Sequence, residues 1–158
     1  NNKKGEWLLI LQLLIIGAHL LPTFNHISSL QIREIIISKV SGILFLTSGL
    51  NISIRSILSL GDNLSPLPFP KEGSILVQNN SYKKCRHPLY KGLIFCSIGI
   101  CLIKLSILHL ILLIALVYVL RNKAKVEEKY LKNKHPEYKD YMNSTPAIIR
   151  NLSYLDWN

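Results

Sequence analysis

The sequence predicts an all-α, polytopic transmembrane helical bundle in a single domain, residues 1–158. Almost half of the residues, 49%, are hydrophobic. The Leu and Ile residues come in blocks, and most Lys and Arg residues lie between these blocks. Blocks of this kind are typical of membrane helices. We therefore predict about four spans and a cytoplasmic helical extension, residues 121–158. The predicted spans are residues 7–21, 40–60, 89–104 and 105–120.

The first span begins close to the N-terminus, after Lys3 and Lys4. A basic start followed by an apolar run is also typical of a signal peptide. No small-x-small cleavage site follows the run, which continues directly into Pro22. We expect this segment to be retained as a membrane helix.

The third and fourth spans are short. A membrane helix needs about 20 residues at a rise of about 1.5 Å per residue. Residues 89–104 are long enough only if Lys91 and Lys104 extend their ammonium groups to the interface. The sequence therefore predicts a tight hairpin between these helices. Three small residues of the third span, Gly92, Cys96 and Gly99, are expected to let the fourth helix approach closely.

The distribution of Lys and Arg predicts the orientation of the chain. Fifteen of the 19 lie in the N-terminal tail, in the loop of residues 61–91, or after Leu120. The positive-inside rule places these three segments in the cytoplasm, with both termini. A net charge of +10 also raises the possibility of nucleic-acid binding. These cations flank apolar segments, however, and do not form a soluble basic face with interleaved aromatic residues, so we expect no nucleic-acid partner.

The second span carries an unusual number of polar residues on one helical face. A charged residue near the centre of a span costs about 2.5–3.5 kcal/mol and usually faces a partner or a wet cavity. We expect this polar stripe to point into the bundle. Alternatively, Arg55 extends to the interface and the serines bond to backbone carbonyls. The stripe consists of Ser41, Ser48, Asn51, Arg55 and Ser59.

The stretch "GDNLSPLPFPKEGS", residues 61–74, contains three prolines and two glycines. This composition predicts an ordered turn or an extended cover and excludes a helix. The chain has three cysteines without CxxC or His/Cys spacing, so no metal site is expected. His19 and His109 are each predicted to form hydrogen bonds between helices and not to act as acid–base catalysts.

The stretch "YKKCRHPLYKG", residues 82–92, contains the first candidate site. Pro88 forces His87 out of helical geometry and suits the first turn of a helix. The N-terminus of that helix presents free backbone N–H groups beside Arg86 and His87, an arrangement suited to a carboxylate or a phosphate. The alternative is a basic helix start that only fixes topology or contacts anionic lipid.

Glu127 and Glu128 form the second candidate site. They are two of only nine acidic residues, and they lie where the fourth helix is expected to continue past the membrane. There they are suited to bind a cation such as an amine, a sulfonium or Arg86. The alternative is ordinary pairing within the helix, Glu127 with Lys123 and Glu128 with Lys132.

Four motifs occur in order: "NLSPLPFPKEG", "RHPLYKG", "EEKYL" and "HPEYKDYMNSTP". This set resembles the isoprenylcysteine carboxyl methyltransferase and phospholipid methyltransferase family over residues 62–149. The resemblance implies an S-adenosylmethionine-dependent methyl transfer to a lipid-borne or hydrophobic acceptor at the cytoplasmic membrane face. The acceptor implied is prenylcysteine carboxylate-like or phospholipid-like.

The resemblance also assigns residues. It implies cofactor binding by one set of seven residues, and it implies a lining or structural role for His135, Pro136, Tyr138 and Tyr141. Asn51 and Arg55 are the candidates for the acceptor side. The implied cofactor-binding residues are Arg86, His87, Pro88, Tyr90, Gly92, Glu127 and Glu128.

The chain departs from the family pattern directly after "TP". Ala147 stands where the family usually has an arginine after "TP", and Arg150 follows three positions later. This departure leaves open a non-catalytic protein that binds a lipid headgroup or a partner. Sterol reductases, which use a nicotinamide cofactor, have a related motif with asparagine before the tyrosine. Leu89 occupies that position here, which argues against a reductase.

Overall fold

The computed structural model describes residues 3–23, 32–67, 69 and 73–157. Its helices are α1 (Lys3–Ala18), α2 (Ile32–Leu60), α3 (Pro88–Lys104), α4 (Ile107–Lys134) and α5 (Tyr138–Ser144). Short 3-10 turns lie at Gly61–Asn63 and Asn80–Lys83. The described residues form helices and connecting loops, and none of them forms a β-strand. The all-α prediction is therefore confirmed.

Helices α1, α3 and α4 pack side by side, and α2 packs on the free face of α3. In the part of the chain described, two helices are long and apolar enough to cross a membrane, Arg33–Asn63 and Ile107–Lys134. A shorter apolar helix covers Gly5–Ala18, and α3 has 17 residues. Large apolar side chains cover the outer surface of α2, where Leu44 is 62% exposed. Such a surface is suited to lipid.

Several helix boundaries differ from the predicted spans. Helix α1 ends at Ala18, before the predicted end at Leu21, and α2 begins eight residues before the predicted start at residue 40. Charged and polar residues such as Arg33 and Glu34 continue α2 beyond the apolar run that hydropathy detects. Helix α1 instead ends before its apolar run does, because Pro22 disfavours helical geometry at Leu21. The start of α3 at Pro88 is confirmed, since proline occupies the first helical turn.

The turn between α3 and α4 is as tight as predicted. Only Leu105 and Ser106 separate the helices. Leu105 has φ of 47°, and its N–H donates to the Cys101 carbonyl at 2.9 Å. This left-handed residue closes α3 and turns the chain back. Helix α4 then continues far beyond Leu120, to Lys134, which confirms the predicted extension of the helix.

The small residues of α3 pack against α2, so the prediction that they face α4 was wrong. A methyl group added at Gly49 would lie 2.6 Å from the Cys96 backbone nitrogen. One added at Gly99 would lie 2.6 Å from the Gly42 carbonyl oxygen. The sequence spacing identified the small face of α3 correctly. It could not identify the partner, because α2 has matching glycines at positions 42 and 49.

The polar stripe of α2 does not point into the bundle, so this prediction was also wrong. Ser48, Asn51 and Arg55 are exposed, whereas Ser53 and Ser56 are buried toward α3. The close approach of α3 requires small residues such as Gly42, Gly49 and Ser53 on that face. The alternative fits better at Ser59, whose hydroxyl donates to the Arg55 carbonyl at 2.7 Å.

The two buried histidines link helices, as predicted. His19 Nε2 lies 2.6 Å from Ser97 Oγ, which joins the end of α1 to α3. His109 Nε2 lies 3.3 Å from the His19 carbonyl oxygen, which joins α4 to α1. These contacts lie away from the "RHP" motif, since Ser97 is in the middle of α3 and His109 is in the first turn of α4.

Candidate functional site

The predicted site residues come together at the start of α3. Arg86 and His87 precede this helix, Tyr90 lies in its first turn, and Glu127 and Glu128 lie on α4. Helix α4 places both acids beside the start of α3 because the two helices form an antiparallel hairpin. Motifs about 40 residues apart in the sequence therefore form one cluster. We call Arg86, His87, Glu127 and Glu128 the charge cluster.

Glu128 is the acid at the centre of the charge cluster. Its Oε1 lies 3.0 Å from Arg86 Nε and 2.9 Å from His87 Nε2. Its Oε2 accepts a hydrogen bond from Trp157 Nε1 at 2.7 Å. Both the arginine and the glutamate side chains are almost fully buried, 0% and 4% exposed. Removal of one partner of such an ion pair would leave the other charge buried without compensation, which would destabilise the protein.

Arg86 also holds the C-terminal part of the chain. Its Nη1 donates to the Met142 carbonyl at 2.9 Å, and its Nη2 donates to the Trp157 carbonyl. Two backbone bonds continue this contact: Arg86 N–H donates to the Pro146 carbonyl at 2.9 Å, and His87 N–H to the Ala147 carbonyl at 3.0 Å. The "RHP" segment is therefore an internal anchor for the C-terminal segment.

Glu127 has a different environment. Its Oε1 accepts a hydrogen bond from the Tyr90 hydroxyl, and its Oε2 lies 3.6 Å from His87 Nδ1. The His87 ring stacks on Tyr90, with centroids 5.4 Å apart and planes 5° from parallel. Glu127 lines a groove beside Tyr90, and Glu128 is not part of the lining of that groove. The Glu127 carboxylate is thus held in place on one side and faces open space on the other.

The groove lies between α3, α4, α5 and the segment of residues 60–77 that follows α2. It encloses about 150 Å³, and with its open mouth it spans about 850 Å³. Aromatic side chains form much of its wall, and we call it the aromatic groove. Its lining includes Phe69, Tyr82, Tyr90, Tyr138 and Tyr141, together with Arg86, His87, Leu89 and Glu127.

Burial keeps the tyrosines of this groove neutral. Desolvation raises the pKa of Tyr82, Tyr138 and Tyr141 above the usual range for a phenol, and nearby acids add to the effect. The Tyr141 hydroxyl donates to the Tyr82 carbonyl, which ties α5 to the turn before α3. The prediction that Tyr138 and Tyr141 have a lining role agrees with these positions. His135 and Pro136 are not among the described residues that line the groove.

The described residues of the segment 61–74 line one side of the groove as a loop without regular structure after the 3-10 turn Gly61–Asn63. This agrees with the predicted ordered turn or cover, although residues 68 and 70–72 lie outside the described part. Asn63 fixes its position, since the Ile75 N–H donates to Asn63 Oδ1 at 3.0 Å. Pro66 contributes a backbone carbonyl to Lys123 Nζ at 2.9 Å.

Lys123 is a buried cation that the sequence analysis treated only as a possible partner of Glu127. Its ammonium donates to Gln12 Oε1 and to the Pro66 carbonyl, both at 2.9 Å. It also lies 5.6 Å from the centroid of the Tyr90 ring. Lys123 therefore links α1 and the cover segment to the wall of the aromatic groove. Its position one helical turn before Glu127 was the available signal.

Trp157 is the other residue that the sequence analysis missed. Besides its bond to Glu128, its ring lies 6.2 Å from the His87 ring. No spacing or motif pointed to it, because the contact depends on how the last residues fold back. Asp156 shapes this return by accepting hydrogen bonds from the Ala147 and Asn151 N–H groups, at 3.0 and 3.1 Å.

The departure at Ala147 has a structural explanation. Ala147 is completely buried between the "RHP" segment and Asp156. Arg150 is exposed and lies outside the described lining of the groove. Arg150 therefore does not replace the arginine expected after "TP".

The remaining predicted residues lie away from the groove. Gly92 faces α2, and Pro88 forms part of a second cavity, which also contains Asn51 and Arg55. No described residue lines both cavities. The structure thus brings five of the predicted cofactor residues together and separates the two acceptor-side candidates from them.

Comparison with known families agrees with this arrangement. The phospholipid methyltransferase family matches residues 37–137, which include most of α2, all of α3, the "RHP" segment and both glutamates. The chain belongs to the phospholipid methyltransferase family. Neither a curated protein nor a solved structure matches it significantly. Membership implies a membrane-associated methyltransferase that acts on a lipid-like substrate. The C-terminal segment that contacts Arg86 and Glu128 lies outside the matched residues.

Proposed function

We propose that the protein transfers a methyl group from S-adenosylmethionine to a lipid-borne acceptor. The observation that carries this proposal is the convergence of Tyr90, His87 and Glu127 on one wall of the aromatic groove. These residues come from the two motifs that the family resemblance associates with the cofactor. The family match over residues 37–137 supports the reaction type.

The chemistry of the groove suits this cofactor. A cofactor with an ammonium and a sulfonium group needs an anionic partner and aromatic faces. Glu127 and the tyrosine walls provide both. The enclosed part of the groove, about 150 Å³, is smaller than the about 300–1,000 Å³ typical of small-molecule sites, so the bound cofactor would extend into the open mouth of the groove. Glu127 is suited to hold the ammonium group, and the backbone N–H groups of Leu89 and Tyr90 are suited to the carboxylate.

In this proposal Arg86, His87 and Glu128 act on the cofactor indirectly. Arg86 and Glu128 compensate one another's charge, and His87 contacts Glu128, so the contribution of these three residues is to fix the first turn of α3 and the Glu127 carboxylate. Pro88 starts that turn, and Gly92 lets α2 support it closely.

The bound cofactor supplies an electrophilic methyl group, so the chain itself needs few catalytic residues. The cover segment and α5 exclude water from the groove, and the fixed wall aligns the two reactants. Alignment of this kind corresponds to roughly 7–11 kcal/mol in intramolecular reactions. The acceptor remains either prenylcysteine carboxylate-like or phospholipid-like.

We also propose that helices α1–α4 cross the membrane, with the part of α4 after Leu120 in the cytoplasm, and that both termini are cytoplasmic. The apolar surfaces of α1 and α2 and the concentration of Lys and Arg at one end of the helices support this orientation. The aromatic groove then opens at the cytoplasmic membrane face, where a lipid headgroup can reach it.

The test is transfer of a radioactive methyl group from S-adenosylmethionine into a membrane lipid extract by the purified protein. We expect labelled lipid with the wild type and a large loss with Glu127→Gln. Glu137→Gln, at an exposed acid outside the groove, is the matched control. If NADPH binds and S-adenosylmethionine does not, the reductase alternative replaces this proposal. Equal transfer by wild type and Glu127→Gln would remove Glu127 from the cofactor site.

A further inference from the structure

A second cavity lies on the opposite side of the Cys85–Pro88 segment from the aromatic groove. Its volume is about 650 Å³. The last turns of α2, the 3-10 turn Asn80–Lys83 and the first turn of α3 form its walls. Three of its lining residues, Arg55, Lys84 and Lys91, carry a positive charge. We call it the cationic cavity.

The charge of this cavity is not compensated by its described lining. That lining contains no Asp or Glu. Arg86, two residues from Lys84, has Glu128 as its partner in the charge cluster. Three like charges around one space repel one another, and an anion placed between them removes that repulsion. The cavity is therefore suited to bind an anion.

The position of the cavity identifies the source of that anion. Apolar side chains of α2 lie beside it and are exposed: Ile54 is 56% exposed, Ile57 42% and Leu58 75%. Leu58 itself lines the cavity. The cavity thus opens where the apolar surface of α2 meets the polar end of the helix. In a membrane, this is the depth of the lipid headgroups.

The neutral polar residues of the cavity complete a headgroup site. Asn51 on α2 and Asn80 and Ser81 in the 3-10 turn add side-chain donors to the three cations. Hydroxyl and amide donors around a phosphate, with charge from Arg and Lys, are a common arrangement. An acyl chain can lie along the exposed apolar face of α2 below this site.

We propose that the cationic cavity binds the phosphate headgroup of an anionic membrane phospholipid, with its acyl chains against α2. This site is separate from the aromatic groove, and the proposal does not depend on methyl transfer. It gives Asn51 and Arg55, first considered for the acceptor side, a role in lipid binding away from the reacting atoms.

The test is native mass spectrometry of the full chain purified in mild detergent. Dioleoyl phosphatidylglycerol and dioleoyl phosphatidylcholine are titrated separately, and inorganic phosphate is added as a competitor. We expect the wild type to prefer phosphatidylglycerol. The triple variant Arg55→Gln, Lys84→Gln, Lys91→Gln should bind it about a hundredfold more weakly, since each basic residue contributes about fivefold. The matched control removes three exposed cations elsewhere, Lys39→Gln, Lys139→Gln and Arg150→Gln, and should bind like the wild type.

Three results would overturn the proposal. They are equal binding of the two lipids, an unchanged affinity in the triple variant, and inorganic phosphate that binds as tightly as the lipid, which would reassign the cavity to a soluble anion. If the triple variant does not fold, Lys84→Gln alone decides the question, because Lys84 is exposed. We then expect a loss of about fivefold, and no loss would contradict the proposal.

Discussion

Basic residues have different environments on the two sides of the Cys85–Pro88 segment. On one side, Arg86 and His87 are buried and paired with Glu128, and Arg86 also holds two backbone carbonyls. On the other side, Lys84 and Lys91 line a cavity without an acid in its described lining. A cation with a buried carboxylate partner is part of the fold, whereas one without such a partner is available to a ligand. Basic residues only two positions apart, Lys84 and Arg86, can therefore have unrelated roles.

The largest effect, on stability, is expected on the side where Arg86 and His87 contact Glu128. Glu128→Gln removes the carboxylate that Arg86 and His87 share and leaves the Arg86 charge buried. Breaking one partner of a buried pair costs about 3–5 kcal/mol. Unfolding in mixed micelles with increasing dodecyl sulfate, followed by circular dichroism, measures the loss. Lys84→Gln is the control and should change stability by less than about 0.5 kcal/mol. Comparable losses in both variants would abolish the distinction between the two sides.

The Cys85 thiol lines the cationic cavity. Its reactivity tests whether the cations of this cavity activate a neighbouring nucleophile. Burial raises the pKa of the Cys85 thiol to about 11, although Lys91 and Arg86 lower it in part. A thiol with this pKa has about a hundredfold less thiolate at pH 8 than one with the usual value of 9.0.

We expect maleimide labelling of Cys85 to be slow and to rise about tenfold per pH unit up to pH 10. The measurement uses the Cys96→Ala, Cys101→Ala variant, so that only Cys85 reacts. Rapid labelling that levels off below pH 9 would show instead that the cations act on the thiol.

Gly92 lies four residues after Pro88, where α3 packs closely on α2. A methyl group added there would lie 2.8 Å from the Gly49 carbonyl oxygen. Gly92→Ala should therefore push α2 and α3 apart and destabilise the protein by about 1–3 kcal/mol. Gly17→Ala is a matched control in α1, since nothing lies within 4 Å of the added methyl group. It should be neutral or slightly stabilising. Equal effects at Gly17 and Gly92 would contradict the close packing of α2 on α3.

The smallest effect, on the affinity for the cofactor, is expected from a residue of the cationic cavity. Arg55→Gln should leave the affinity for S-adenosylmethionine within about twofold of the wild type, because Arg55 and Glu127 line different cavities. Calorimetry of the two proteins measures this difference. A loss as large as that of Glu127→Gln would place Arg55 at the cofactor site after all.

Local signals in the sequence predicted much of this fold. Apolar blocks located the helices, and Pro88 marked the start of α3, because hydropathy and proline geometry are properties of short segments. The resemblance also identified Arg86, His87, Tyr90, Glu127 and Glu128 as one group.

Pairwise packing was not predictable in the same way. The small face of α3 was visible, but its contact with Gly42 and Gly49 of α2 depends on which helices meet. The polar stripe of α2 was assigned to the interior because a charge in a membrane is costly, yet Arg55 lies near the helix end, where the interface is accessible. Trp157 reaches Glu128 only through the fold of the C-terminal segment.

The central claim is that Glu127 holds S-adenosylmethionine in the aromatic groove, and calorimetric titration of the detergent-purified protein tests it most directly. We expect saturable binding by the wild type and by Glu137→Gln. Glu127→Gln should bind about 10- to 100-fold more weakly, the effect of losing one charged hydrogen-bond partner, with its unfolding transition unchanged. An adenine dinucleotide should not compete. No binding by folded wild-type protein, or equal binding by Glu127→Gln, would contradict the account.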